Sequence, residues 1–142
     1  MTYFVDTNVF VYVRDDTEPT KRDRSAEWLS WLWSTGRGVT STQVLNELYV
    51  TLTRKVSRAH DPDAARRDVI ALSAWDPLVT DAALIREAWS VTDRFGLSHW
   101  DALVVAAAHR LEAEHLLTED LNAGQDYGGV IVISPFAAHP PG

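Results

Sequence analysis

The sequence contains no cysteine among its 142 residues. Disulfides, thiolate-bound metals and cysteine nucleophiles are therefore excluded, and the composition fits a reducing cytoplasm. Long apolar runs are also missing, because the longest one, Ala102–Ala108, is far shorter than the ~18 residues that suggest a membrane span. The N-terminal segment Met1–Val13 has no basic leader of the kind that marks an export signal. We therefore expect a cytoplasmic protein with no membrane partner.

An excess of positive charge is missing as well, since the formal net charge is -7. Nucleic-acid-binding domains usually carry a basic footprint, so the charge argues against a generic nucleic-acid binder. It is compatible with carboxylates gathered around a cation. Local basic clusters do occur, and each could contact a nucleic acid or be an ordinary solvated helix face: Lys21, Arg22 and Arg24; Arg54, Lys55 and Arg58; Arg66 and Arg67.

The chain does have the length and the hydrophobic fraction, 46%, of one globular domain. Short apolar runs that indicate strands, such as Tyr3–Val5 and Val130–Ile133, alternate with helical patterns. In one such pattern Val44, Leu48 and Leu52 recur every fourth residue. Short apolar strands between helices predict an α/β fold, with a short, mostly parallel central sheet flanked by helices on both faces.

Four acidic residues occupy positions that this topology brings to one edge of the sheet. Asp6 directly follows the first strand, and Asp120 lies two residues beyond a later one. Glu47 lies about one turn into the helix after the second strand, and Asp101 lies in the first turn of a helix opened by Ser98. Because ligands of parallel sheets bind beyond the carboxyl ends of the strands, we expect the four acids to meet there.

Each acid also has a purely structural interpretation. Asp6 could cap a helix, as could Asn8, and Asp101 could complete a capping box opened by Ser98. Asp120 could be a turn residue, and Glu47 a solvated helix position. Their common placement is what favours a site.

A cluster of this kind implies a metal ion. Carboxylates held close together repel one another, and some would protonate unless a cation joined them. Oxygen ligands without His or Cys select Mg²⁺ or Mn²⁺ over Zn²⁺. A carboxylate-bound Mg²⁺ can lower the pKa of a water to make a nucleophile, and it can neutralise the charge that develops on a phosphodiester. The acids therefore predict metal-assisted phosphodiester hydrolysis, with one or two metals left open.

Four sequence blocks between residue 3 and about residue 136 resemble a known family. They read F-V-D-T-N-V-F at Phe4–Phe10, N-E-L at Asn46–Leu48, S-H-W-D-A-L at Ser98–Leu103 and L-L-T-E-D-L-N-A-G-Q at Leu116–Gln125. In this order they resemble the PIN domain, and more narrowly the VapC-type toxins of bacterial type II toxin–antitoxin pairs. The resemblance implies a single PIN-like nuclease domain over residues 1–142, whose tail we expect to fray from about residue 137.

The resemblance also implies a Mg²⁺-dependent endoribonuclease, with Mn²⁺ able to substitute. It assigns the metal to Asp6, Glu47, Asp101 and Asp120, and makes Asp6 and Asp101 the most direct ligands. It implies an RNA substrate cut at loops, a homodimer, and an antitoxin whose tail covers the site. The polar residues that match positions orienting the acids are Thr7, Asn8 and Thr118.

Several neighbouring residues have roles that the sequence leaves open. Glu119 is expected to point away from Asp120, and Asp126 to belong to a loop, so neither is placed in the core set. His99 and Trp100 flank Asp101 and either contact RNA or pack at the helix start. A further group lies within one helix and indicates either an interface or a larger core: Trp28, Trp31 and Trp33.

The sequence leaves two alternatives to a metal-dependent nuclease. A phosphatase with an aspartyl nucleophile usually needs a second Asp two residues after the first, where this chain has Asn8, and no suitable Lys follows near the later acids. A non-catalytic PIN-like module for RNA binding or assembly is the other alternative. The presence of all four acids argues against it.

Overall fold

The structure, a computed structural model, describes residues 1–54 and 61–142. The strands are β1 (Tyr3–Val5), β2 (Gly38–Val39), β3 (His115–Leu117), β4 (Asp126–Tyr127) and β5 (Val130–Ile133). The helices are α1 (Thr7–Tyr12), α2 (Pro19–Thr35), α3 (Thr42–Arg54), α4 (Pro62–Leu72), α5 (Ala82–Phe95) and α6 (His99–Arg110), and a short 3-10 helix, Ser73–Trp75, follows α4. The predicted α/β class is confirmed.

The strands form one sheet in the order β2-β1-β3-β5-β4. All neighbouring strands run parallel except β4 and β5, so the mostly parallel sheet is also confirmed. The antiparallel strand β4 was not predicted, because two residues are too few to show an alternating pattern. It turns into β5 through Gly128 and Gly129, whose φ angles of 68° and 104° suit glycine.

The connections of the sheet diverge between β1 and β3. From β1 the chain leads to β2 on one side, whereas from β3 it leads to β4 and β5 on the other. In open α/β sheets, such a point leaves a crevice beyond the carboxyl ends of the two strands, and ligands bind there. The residues that directly follow β1 and β3 are therefore at the most probable binding position of the fold.

Both faces of the sheet are covered. The exposed fractions of Tyr3, Phe4 and Val5 in β1 are 2%, 0% and 0%, and successive strand residues point to opposite faces. The Tyr3 ring contacts two tryptophans of α2, Trp28 at 5.6 Å and Trp31 at 5.4 Å between ring centroids. Helix α6 lies against β3 and β5. The helices thus fix the two central strands, and with them the crevice.

Helix α2 differs from its prediction. The recurrence of Ala26, Leu29, Leu32 and Trp33 on one helical face predicts a helix over residues 24–35. The helix begins earlier, at Pro19, because proline is well tolerated in a first helical turn. Trp28 is 1% exposed and belongs to the core, whereas Trp33, predicted to share the apolar face, is 47% exposed. Trp28 is therefore a core residue, and of these two tryptophans only Trp33 is exposed enough to contribute to the expected interface.

The C-terminal tail is partly held in place. The carbonyl of Ala138 accepts a hydrogen bond from the Trp28 indole N–H at 2.9 Å, and His139 Nδ1 lies 2.9 Å from Glu27 Oε1. Residues 138 and 139, which were expected to fray, therefore lie against α2. Within residues 1–54 and 61–142, no helix is both long enough and apolar enough to cross a membrane.

Candidate active site

Asp6 connects the end of β1 to the start of α1. Of the two residues that could cap this helix, Asp6 and Asn8, it is Asp6 that forms the N-cap of α1, and its Oδ1 accepts a hydrogen bond from Thr7 N at 2.8 Å. Its Oδ2 accepts one from Thr118 Oγ1 at 2.9 Å. Asp6 is only 6% exposed, so its carboxylate is held firmly between the two central strands.

Thr118, the first residue after β3, links the two sides of the crevice. Its hydroxyl donates to Asp6 and accepts from Asn8 Nδ2 at 3.0 Å and from the Asp120 amide at 3.1 Å. A hydroxyl has one donor and two acceptor positions, so this one is fully used. Asn8 Nδ2 also donates to Asp120 Oδ2 at 3.1 Å. Asn8 and Thr118 thus fix Asp120 relative to Asp6.

Glu47 reaches the same region from α3. Its Oε2 accepts from Thr7 Oγ1 at 2.7 Å, and its Oε1 accepts from Gln43 Nε2 at 3.0 Å. The Gln43 amide also donates to the Trp100 carbonyl at 3.3 Å, so it joins α3 to the start of α6. The sequence reasoning missed Gln43, and its only signal was the position one helical turn before Glu47.

Asp101 lies in the first turn of α6. Ser98 is the N-cap, and its Oγ accepts the Asp101 amide at 3.2 Å. A full capping box would also use the Asp101 carboxylate, but that carboxylate forms no hydrogen bond with the part of the chain that the structure describes. It therefore stays available for another ligand.

The pKa values show how closely the acids are coupled. Burial raises the pKa of Asp6 to about 7, against the hydrogen bonds from Thr7 and Thr118, which lower it, and Asp120 and Glu47 raise it further. Desolvation raises the pKa of Asp120 as well, the hydrogen bond from Asn8 lowers it, and the negative charges of Glu119, Asp101 and Glu47 raise it further. Asp120 and Glu47 thus act on Asp6, and Asp101 and Glu47 act on Asp120.

No positive charge balances this cluster within the described chain. No Lys or Arg of residues 1–54 and 61–142 forms an ion pair with any of the four acids.

A family model for the PIN domain matches residues 3–125. The chain belongs to the PIN-domain family. The resemblance read from the four sequence blocks is thereby confirmed at the level of the family.

A solved structure supports the PIN fold. A chain of VapBC2 from Rickettsia felis, in a crystal structure bound to a DNA fragment from their promoter, aligns with a TM-score of 0.60 and 20% sequence identity. The alignment covers 94% of this chain and 98% of that one. At this identity the match shows a shared fold. None of the curated proteins matches the sequence.

The donor set of this PIN domain suits a hard cation. Its four acids offer only oxygen ligands, which Mg²⁺ and Mn²⁺ prefer. In the described part of the chain, no three acidic or histidine side chains already converge as a ready-made cage. Mg²⁺ is often held by one or two carboxylates together with waters rather than by a dedicated protein cage, so the residues present fit such an ion.

The two acids that the sequence left outside the core set make other contacts. Glu119 accepts from the Tyr12 hydroxyl and pairs with Lys21 Nζ at 3.0 Å. Asp126 accepts from the Gly129 amide at 2.6 Å in the turn before β5. The contacts of Glu119 agree with its side chain pointing away from Asp120. Asp126 is the first residue of β4 rather than part of a loop, so that expectation is wrong.

The basic clusters of the PIN domain are largely paired with acids. Arg22 pairs with Asp16 and Asp23, and Arg66 with Asp63. These contacts favour the solvated-face interpretation for those two arginines. Lys55 and Arg58 of the second cluster lie outside the described residues.

Proposed function

We propose that this PIN domain is a Mg²⁺-dependent endoribonuclease, with Mn²⁺ able to substitute, and that Asp6, Glu47, Asp101 and Asp120 hold the ion. The observation that carries the proposal is the buried carboxylate of Asp6 in the crevice between β1 and β3, where the charges of Asp120 and Glu47 raise its pKa. Among the described residues, no Lys or Arg pairs with it. When bound, the ion supplies a water of lowered pKa and a positive charge for the phosphate.

The chain's own residues orient the ligands. Thr118 and the Thr7 amide hold the two oxygens of Asp6, so that its carboxylate cannot rotate freely. Asn8 holds Asp120, and Gln43 holds Glu47. In metal sites, such outer partners set the orientation of the ligands, and their loss costs about 10- to 100-fold in metal affinity or activity.

The acidic character of the site makes RNA binding depend on the cation. Carboxylates repel a phosphodiester, and the net charge of -7 adds to that repulsion. Hydrolysis adds water across the phosphodiester: the water oxygen bonds to phosphorus, the bond to one ribose oxygen breaks, and that oxygen takes up a proton. We expect both RNA binding and cleavage to fail without the cation.

We further infer that the protein is the toxin of a toxin–antitoxin pair. The support is the four VapC-like sequence blocks and the shared fold with a chain of the VapBC2 structure. On this proposal the chain forms a homodimer, a cognate antitoxin covers the crevice, and the protein acts on RNA in the cytoplasm. The exposed Trp33 is a candidate contact for such partners.

The phosphatase alternative finds little support in the geometry. A covalent nucleophile must reach its substrate, but Asp6 is 6% exposed. Both of its oxygens already accept hydrogen bonds. These contacts suit a fixed metal ligand better than an attacking group.

A cleavage assay on a fluorogenic single-stranded RNA tests the proposal. We expect cleavage by the purified chain in Mg²⁺ or Mn²⁺ and none in EDTA. Asp6→Asn and Asp101→Asn should each lower the rate by more than the about 10- to 100-fold that the loss of an outer partner costs. Asp126→Asn makes the same chemical change away from the crevice and should stay within about twofold. Wild-type rates in Asp6→Asn and Asp101→Asn, or undiminished cleavage in EDTA, would contradict the proposal.

A further inference from the structure

A groove of about 610 Å³ opens beside Glu47. Helices α3 and α6 form its walls. We call it the Trp100 groove after the tryptophan on its wall, which is 64% exposed. Among the residues that the structure describes, the ones that matter here are Gln43, Asn46, Glu47, Val50, Thr80 and Trp100. The groove is thus continuous with one acid of the proposed metal centre.

Trp100 is held at its backbone while its ring remains open. It directly precedes Asp101 in the first turn of α6, and its carbonyl accepts from Gln43 Nε2 at 3.3 Å. The His99 ring meets it edge-on, at 5.3 Å between centroids. An apolar ring that needed only to fill the core would be buried, so this ring has a face free to stack.

The remaining walls combine apolar and hydrogen-bonding groups. Val50 is 39% exposed. The exposed Asn46 side chain forms no hydrogen bond with the described part of the chain, whereas the Thr80 hydroxyl is buried and closed to a ligand. Glu47 is the one charged residue on the walls within the described ranges. Flat stacking surface together with free polar groups is what a nucleobase requires.

We propose that the Trp100 groove receives a base of the RNA strand next to the scissile phosphate, with Trp100 stacking on the base and Asn46 contacting its edge. The inference rests on the proposed function, because a phosphate at the acids would bring a neighbouring nucleotide to this groove. Single-stranded RNA is commonly recognised through unstacked bases that lie on aromatic rings. A protein partner is the other possible occupant, and the abasic substrate described below distinguishes it from a base.

The test compares Trp100→Ala with Trp100→Phe and with Trp89→Ala. Trp89 is a matched control, because it is 54% exposed on α5 and lies outside the groove. Stacking of one base corresponds to about 5- to 150-fold in binding. We expect Trp100→Ala to lower kcat/KM for a short RNA by about tenfold, mainly through KM. Trp100→Phe should keep most of the wild-type value, and Trp89→Ala all of it.

An abasic substrate identifies the contact. With the cleavage position mapped, single abasic nucleotides are placed on either side of it. One of them should lower kcat/KM of the wild type by the factor seen for Trp100→Ala, and should have no further effect in that variant. The proposal would be overturned if the abasic nucleotide and Trp100→Ala each lowered kcat/KM independently, so that their effects multiplied. An unchanged kcat/KM in Trp100→Ala would also overturn it. So would a sedimentation shift from dimer to monomer in Trp100→Ala with the abasic effect intact, because the groove would then be a contact between copies.

Failure of the proposed function has a different outcome. If the wild type does not cleave RNA, the proposed metal-dependent nuclease activity is wrong. The groove is then tested separately, by measuring the binding of a labelled RNA oligomer through fluorescence anisotropy. Binding that Trp100→Ala weakens and Trp89→Ala does not would still support the groove. Equal binding by both variants, or none by the wild type, would refute it.

Discussion

At the scale of single residues, the hydroxyl of Thr118 is the hydrogen-bonding group that joins the two sides of the crevice. It serves Asp6, Asn8 and the Asp120 amide at once, and the residue is fully buried. Its place after a strand could be read from the sequence, but the three partners could not, because they depend on how β1 and β3 pair. The resemblance suggested an orienting role for Thr118, and the contacts give that role a physical form.

Thr118→Val keeps the shape of the side chain and removes its hydroxyl. The variant leaves buried partners unsatisfied, and we expect it to lower the free energy of unfolding by about 1–3 kcal/mol. Cleavage should fall by about 10- to 100-fold, because Asp6 and Asp120 lose their common anchor. Denaturant unfolding and the RNA assay measure the two effects. Thr118→Ser retains the hydroxyl and should lie close to the wild type in cleavage; equal losses in both variants would contradict the role of the hydroxyl.

At the scale of elements, regular patterns were readable and short ones were not. Helix α3 was predicted from Val44, Leu48 and Leu52, and all three are buried. The sequence left the N-cap of α1 open between Asp6 and Asn8, because both have suitable side chains. Pairing of β1 with β3 decides between them, since it draws the Asn8 amide toward Thr118 and Asp120. Local propensity alone does not contain that contact.

The N-cap of α6 should affect the site, whereas the N-cap of α5 should not. Ser98→Ala removes the cap next to Asp101, and we expect a loss of stability of about 0.5–2 kcal/mol together with weaker cleavage. Asp81→Ala is the matched control, because Asp81 caps α5 through the Leu84 amide at 2.8 Å. Unfolding and cleavage are measured on both variants. The idea fails if Asp81→Ala, at a similar loss of stability, reduces cleavage as much as Ser98→Ala does.

At the scale of the whole molecule, the sheet order brings Asp6 and Asp120 beyond the ends of two neighbouring strands, where Asn8 and Thr118 link them. The sequence predicted that the acids would meet at the carboxyl edge, and the coupled pKa values of Asp6 and Asp120 agree with that placement. The contact of Gln43 with the Trp100 carbonyl could not be predicted, because it depends on how closely α3 approaches α6. The same approach creates the Trp100 groove. Long-range packing, rather than motif spacing, determines these features.

The raised pKa of Asp6 also links the site to overall stability. In the folded chain the pKa of Asp6 is about 7, against an ordinary value of 3.8 for an aspartate, so between these pH values the native state binds a proton that the unfolded state has released. The stability contributed by protonated Asp6 is therefore full below about pH 4 and is lost as the pH rises to about 7. The shift corresponds to a loss of up to about 4 kcal/mol. A divalent cation should offset this loss, because it binds the deprotonated form.

The most direct measurement is the free energy of unfolding from pH 4 to pH 8, in EDTA and in Mn²⁺, for the wild type and Asp6→Asn. The difference between the two proteins isolates Asp6 from every other titrating group. We predict that in EDTA the wild type loses stability relative to Asp6→Asn as the pH rises through this range, and that Mn²⁺ restores it at pH 8 in the wild type alone. A difference in EDTA that does not change with pH, or equal stabilisation of both proteins by Mn²⁺, would contradict a cation site built on Asp6.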